Sequence, residues 1–319
     1  MAANRQRVVI KPFKPAEMIY DYSSLLFAGP KKSGKSYGAR CVIFDLKNRV
    51  YDATVYSGSR EEDHPWTEYV PEAFVFKGYN EENLGRVMDR QDERRTIAAK
   101  YGVKPPGHMI IFEDLEYKKK NVFDSEAARQ VMLNGRHDKT FPICLVQYIM
   151  RGLTLEVRSM FDFAFFTKEP NVDVRKKIWK VFGGVCTSFD EFDTIFRMCT
   201  ENHRMLVIAL RNDSYVISDS FFYFKAKDMG PYHIGHPDFW KMAEDIKQSA
   251  KKSTPKPKTE EDETVQQQPA KRKRLTKQDT RGKAVYKDSD SEINPLQNTM
   301  SAYSVKTGKI FEIMPNEDI

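Results

Sequence analysis

The sequence predicts an α/β fold in three layers, a mainly parallel sheet with helices on both faces. Three observations predict it. Short apolar runs alternate with longer stretches of helical spacing through the first two-thirds of the chain, the pattern of strand-helix-strand crossovers. Two of the runs, 109–112 and 142–146, are almost wholly apolar, as strands covered on both faces are. And a glycine-rich loop, Gly29-Pro30-Lys31-Lys32-Ser33-Gly34-Lys35-Ser36, joins an apolar run at 25–28 to a helical stretch at 37–46.

That loop reads G-x-x-x-x-G-K-S, the P-loop pattern, and its flanks supply the strand and helix the pattern needs. Gly29 and Gly34 leave room for backbone N–H groups to turn inward around a polyphosphate. The helix start adds unpaired N–H groups and its dipole. Lys35 is expected to neutralise the β- and γ-phosphates, and the Ser36 hydroxyl to bind Mg²⁺. Residues 29–37, including Tyr37, are therefore read as the cradle for ATP and Mg²⁺. The alternative is a chance turn rich in Gly, Ser and Lys.

The remaining elements are taken in chain order. Residues 1–22 are a basic, proline-marked arm with one edge strand around Val8, Val9 and Ile10. Strands are expected at 53–57 and 73–77, with a loop between them carrying Pro65 and Pro71. Residues 81–100 form a charged surface helix with a narrow apolar stripe of Leu84, Val87, Met88 and Ile97. Residues 101–107 are a loop by turn chemistry. The apolar run 109–112 then ends in Glu113 and Asp114, which has the form of a Walker B strand. One carboxylate would hold the magnesium shell and the other polarise an attacking water. The alternative is a buried strand followed by an acidic helix cap. A helix at 124–135, capped by Asp124 or Ser125, ends near Arg136 and His137. The strand 142–146 stops at Gln147. A further strand at 161–167 and helices at 171–181 and 189–199 come next. Residues 204–210 and 215–218 look like a hairpin about Asn212 and Asp213, with an aromatic stretch at 222–225 beyond.

A net charge of +7 and a pI near 9.0 suit an anionic partner. Cys41, Cys144, Cys186 and Cys199 have no metal-site spacing and sit in apolar surroundings, so buried free thiols are expected rather than zinc. His233 and His236 lack a matching ligand cluster and belong to a structural loop. No run reaches membrane-spanning length and no signal-peptide core opens the chain, so a soluble intracellular protein is expected.

Three signals, GPKKSGKS, MIIFED and GRHDKTFPICLVQY, together resemble the viral genome-packaging ATPases of the poxvirus and giant-virus type, within the FtsK–HerA group of P-loop ATPases. The resemblance covers roughly residues 20–170, and more loosely the hairpin region to about 225. It implies a RecA/FtsK-like P-loop NTPase domain in which Gly34, Lys35 and Ser36 bind triphosphate and Mg²⁺. Glu113 and Asp114 take the Walker B pair, Gln147 the γ-phosphate sensor, and Arg136 a finger reaching into a neighbouring subunit. Arg151 and Arg158 are rivals for the finger. The family more often has Asp first in the acidic pair, which leaves the two carboxylate roles open. From the residues alone, Arg136 at a helix end can equally serve carbonyls and the helix dipole.

The chain is accordingly divided into an arm (1–22), an ATPase domain (23–246), a disordered charged linker (247–300) and a C-terminal docking motif or small hairpin (301–319). The basic block Lys271 to Arg274 suits nuclear import or nonspecific DNA contact, placing the protein in a host-cell nucleus or virus factory, or in the virion. Asp288 to Glu292 sets serines among acids, a target for an acid-directed kinase. Lys118 to Lys120 is a pore-loop grip for DNA phosphates or a solvated charge run. The expected activity is a Mg-dependent ATPase that drives double-stranded DNA into a preformed capsid as a homo-oligomeric ring, with a capsid or portal-like partner. The alternatives are a DNA helicase, a segregation ATPase of a mobile element, or a nucleotide-dependent DNA- or capsid-binding switch.

Overall fold

The computed structural model describes residues 7–58, 65–115, 122, 125–147, 158–253, 301–304, 307 and 309–314. Lys118 to Lys120, Asp124, Arg151, Lys271 to Arg274 and Asp288 to Glu292 lie outside the described residues.

The strands are β1 (Arg7–Pro12), β2 (Leu25–Ala28), β3 (Asp52–Ser57), β4 (Val75–Lys77), β5 (His108–Glu113), β6 (Thr140–Val146), β7 (Phe163–Phe166), β8 (Arg204–Ala209), β9 (Phe221–Lys225), β10 (Ser301–Tyr303) and β11 (Ile310–Ile313). The α-helices are α1 (Pro15–Met18), α2 (Lys35–Leu46), α3 (Glu81–Tyr101), α4 (Glu126–Asp138), α5 (Val172–Phe182), α6 (Phe189–Thr200), α7 (Ile217–Ser220) and α8 (Pro237–Ser253). All the strands join one sheet in the order β10-β11-β1-β9-β8-β7-β2-β6-β5-β3-β4. Its pairings are parallel except β7–β8, β8–β9 and β10–β11. Each face of the sheet carries its own core. Leu84 of α3, Val131 of α4, Ile178 of α5 and Phe196 of α6 pack on one side. Val42 and Ile43 of α2 and Phe239 of α8 pack on the other. The three predicted layers are therefore present.

Local chemistry sets the element ends. The Asn80 side chain caps α3, Ser125 caps α4, Asn171 caps α5 and Ser188 caps α6, each satisfying an N–H that the helix cannot. Gly102, in the left-handed region, closes α3. The central strands β2, β3, β5, β6 and β7 are buried along their whole length.

Three sequence expectations are corrected. The arm strand is internal, since β1 lies between β11 and β9. The partner of β8 is β9, not 215–218; the intervening residues turn wide because Ser214 bonds Val216 N–H and Asp219, while Asn212 bonds the Asp219 carbonyl. The last helix runs to Ser253, past the expected linker start at 247; its buried residues Phe239 and Ala243 lie in its first two turns. The C-terminal hairpin β10–β11 docks on its own chain. Phe311 and Ile313 are buried, and β11 runs parallel to β1. All four cysteines are buried and none is in a disulfide. His233 stacks on Trp240 and His236 on Tyr51, both structural contacts. Among the described residues no helix is long and apolar enough to cross a membrane.

Candidate nucleotide site

Parallel strands end at one edge of the sheet, so the topology gathers the segments leaving β2, β3, β5, β6 and β7 into one place. The glycine loop leaves β2 there. Gly29 N–H bonds Val146 O of β6 at 3.2 Å, fixing the loop base. Lys32 and Gly34 then take left-handed backbone, at φ 64° and 87°, and Gly34 caps α2. Lys35 is the first residue of the helix and is only 5% exposed. Among the described residues, the predicted loop, acids and sensor residue form one connected set.

The two carboxylates separate cleanly. Asp114 accepts from Lys35 Nζ at 2.7 Å and from Gln147 Nε2 at 2.6 Å. Its backbone is left-handed, at φ 48°, an unusual conformation for a residue other than glycine. Asp114 N–H bonds Leu145 O of β6 at 3.0 Å, which holds that turn. Glu113 faces the other way. It accepts from Ser36 Oγ at 2.9 Å, Trp66 Nε1 at 2.6 Å and Ser57 Oγ at 3.3 Å, and is 5% exposed. Glu113 therefore stands with Ser36, and Asp114 with Lys35 and Gln147.

The donor set Ser36 Oγ and Glu113 carboxylate is all oxygen, which suits Mg²⁺. Among the described residues no cluster of three or more His, Cys, Asp or Glu could cage a metal by itself. Tyr37 is exposed, its hydroxyl bonded to Lys227 O at 3.2 Å. Lys31 and Lys32 are exposed on the loop. A cavity of about 260 Å³ opens between Pro30 and Lys31 on one side and Ile178 of α5 on the other, with Gln147, Phe166 and Glu169 in its wall.

Arg136 is not brought to this site. It sits at the carboxyl end of α4, and α4 must return to the start of β6. An arginine there lies at the opposite edge of the sheet, roughly 20 Å away along a seven-residue strand. Its guanidinium bonds Asp162 at 2.7 Å and the Tyr20 hydroxyl at 2.5 Å. Arg211 bonds the same Asp162 at 3.1 Å. Asp162 is buried and also accepts from Ser24 N–H at 2.8 Å. Arg136 thus pairs with a buried carboxylate of its own subunit. Arg158 lies beside this cluster, its carbonyl accepting from Phe161 N–H; burial lowers its guanidinium pKa.

Sequence reasoning did not single out Trp66 and Ser57, which bond Glu113, or Thr167, which bonds Ser33. No local motif marks them. Each is one side chain delivered by a strand end or by the 3₁₀ turn Pro65–Glu68.

No protein-family model matches the chain. In sequence it is similar to several viral proteins described as uncharacterized, among them the following three. Protein 088R of Invertebrate iridescent virus 3 is 27% identical over 220 residues, 69% of this chain and 80% of that one. Protein L437 of Acanthamoeba polyphaga mimivirus is 26% identical over 229 residues, covering 70% and 80%. Protein 015R of Frog virus 3 is 26% identical over 227 residues, covering 69% and 67%. Among solved structures, the genome packaging NTPase B204 from Sulfolobus turreted icosahedral virus 2, in complex with ATP-gammaS, gives a TM-score of 0.45 at 15% identity, covering 65% of this chain and 98% of that one. EssC (ATPases 2 and 3) from Geobacillus thermodenitrificans gives 0.45 at 13%, covering 74% and 46%.

Proposed function

We propose that the chain is an ATP-hydrolysing motor that moves double-stranded DNA into a viral capsid as a homo-oligomeric ring. The observation that carries the hydrolytic half is the single network Ser36–Glu113 and Lys35–Asp114–Gln147 at the mouth of the glycine loop. A protein that only switches on nucleotide binding can dispense with a second carboxylate. Here Asp114 is held in left-handed backbone with its oxygens turned toward the lysine and the glutamine.

Each residue has a role within that reading. Lys35, freed from Asp114, neutralises the β- and γ-phosphates. Ser36 and Glu113 would hold Mg²⁺, which when bound shields the phosphate charge. Asp114 then orients a water and accepts its proton, and Gln147 positions that water against the γ-phosphate. The resemblance of the three motifs to packaging ATPases and the viral origin of the sequence relatives support DNA as the cargo and a capsid as its destination. Net positive charge supports phosphate-backbone contact without sequence reading.

The test is turnover on linear duplex DNA. Wild type is expected to hydrolyse ATP faster with duplex present. Lys35→Ala is expected to lose turnover with its fold intact. Persistent turnover in that variant overturns the loop assignment, and indifference to duplex overturns the motor. Unwinding of a forked substrate would instead favour a helicase.

A further inference from the structure

We infer that Thr167 is a positioning residue of the phosphate loop, acting through Ser33 to aim that hydroxyl at the bound phosphates. This rests on the nucleotide reading of the loop. Thr167 comes directly after β7, on the flank of β2 away from both acids, and is 3% exposed. Its N–H bonds Ala28 O at 3.1 Å, so the residue is stitched to the last residue before the loop. Its hydroxyl donates to Ser33 Oγ at 2.7 Å. Ser33 is the residue before Gly34, inside the cradle.

The consequence is chemical. A hydroxyl has one proton to give. When Thr167 fills a lone pair of Ser33 Oγ, the Ser33 proton is left to point elsewhere, and the concave side of the loop is where anionic oxygens are expected. The pair then forms a relay, Thr167 O–H to Ser33 O–H to phosphate, in which each bond polarises the next. Gly29 belongs to the same device. A Cβ built on Gly29 would fall 1.8 Å from Thr167 Oγ1 and 3.1 Å from Ser33 Oγ. The first glycine of the loop is thus required here by the threonine, as well as by any backbone freedom.

The test is equilibrium binding of MgATP to the full chain, with thermal unfolding as the control for fold. Thr167→Val keeps shape and removes the donor; it is expected to weaken binding about tenfold. Thr167→Ser is expected to stay within about twofold. Ser33→Ala is expected to match Thr167→Val, and the double variant to be no worse than either single one, because the two act as one unit. Gly29→Ala is expected to weaken binding, and Gly29→Ala with Thr167→Ala to recover part of it. Wild-type affinity in folded Thr167→Val, or additive losses in the double variant, overturns the inference while leaving the nucleotide reading standing. If wild type itself binds no MgATP, the nucleotide reading falls and this inference with it.

Discussion

Trp66 shows how single residues tune the site. Its ring is fully buried, and its indole N–H is aimed at the Glu113 carboxylate. Glu113 also accepts from Ser36 and Ser57, so its oxygens are oriented before any ligand arrives. Trp66→Phe keeps most of the ring and deletes that donor. It is expected to raise the Mg²⁺ concentration for half-maximal turnover about tenfold, the usual cost of losing a group that orients a ligand. A magnesium titration of turnover checks this. Asp52 is a residue of the opposite kind, structural and far from the loop. It is fully buried against His108 at 2.6 Å and Arg94 at 2.8 Å. Burial works to raise its carboxyl pKa, but His108 and Arg94 outweigh that and hold it well below the usual carboxylate range. A depressed pKa stabilises the fold above the unfolded value of about 3.9. That stability fades as pH falls through the depressed range. Asp52→Asn is expected to cost about 3 kcal/mol near neutrality by removing the buried charge that Arg94 pairs with, with the gap to wild type closing as pH falls below about 4. Urea unfolding at several pH values reads it.

At the scale of elements, the C-terminal hairpin is the clearest case of a long-range dependency. Lys309 pairs with Glu191 Oε1 at 2.7 Å, and Glu191, at the start of α6, has no exposed surface. The other Glu191 oxygen accepts from Thr187 N–H and hydroxyl. Lys309→Ala strands a buried charge and is expected to destabilise the fold by about 3 kcal/mol. Adding Glu191→Gln should restore much of that, as measured by chemical denaturation. The sequence marks residues 301–319 only as a hairpin or a docking peptide, because pairing between β1 and β11 at opposite ends of the chain leaves no local signature. The same limit explains Arg136. Its helix end was legible, but which edge of the sheet that end reaches is set by the crossover from β5 to β6. The legible features were local: the glycine loop between strand and helix, the apolar run ending in Glu113-Asp114, and the strand that stops at Gln147. Thr167 and Trp66 were not, because a lone side chain carried in by topology has no spacing to betray it. The β8 partner was misplaced for a related reason. The Asn212-Asp213 pair reads as a tight turn, whereas Asn212 and Ser214 bond Asp219 and its neighbours to build a wider one.

For the whole molecule, one sheet divides two tasks between its edges. The carboxyl edge carries the loop, both acids and Gln147. The amino edge carries ion pairs built on buried carboxylates, Asp52 with Arg94 and Asp162 with Arg136 and Arg211, which hold the strand starts. If the proposed ring forms, turnover per chain should rise with protein concentration as subunits dock, and sedimentation should show the same transition. The central claim is narrower: Asp114 is the group that turns a bound triphosphate into a hydrolysed one. It is tested most directly by comparing MgATP binding and single-turnover hydrolysis in wild type and Asp114→Asn. The account predicts near-normal binding in the variant and a hydrolysis rate lower by about a hundredfold or more. Hydrolysis at the wild-type rate in Asp114→Asn would contradict it.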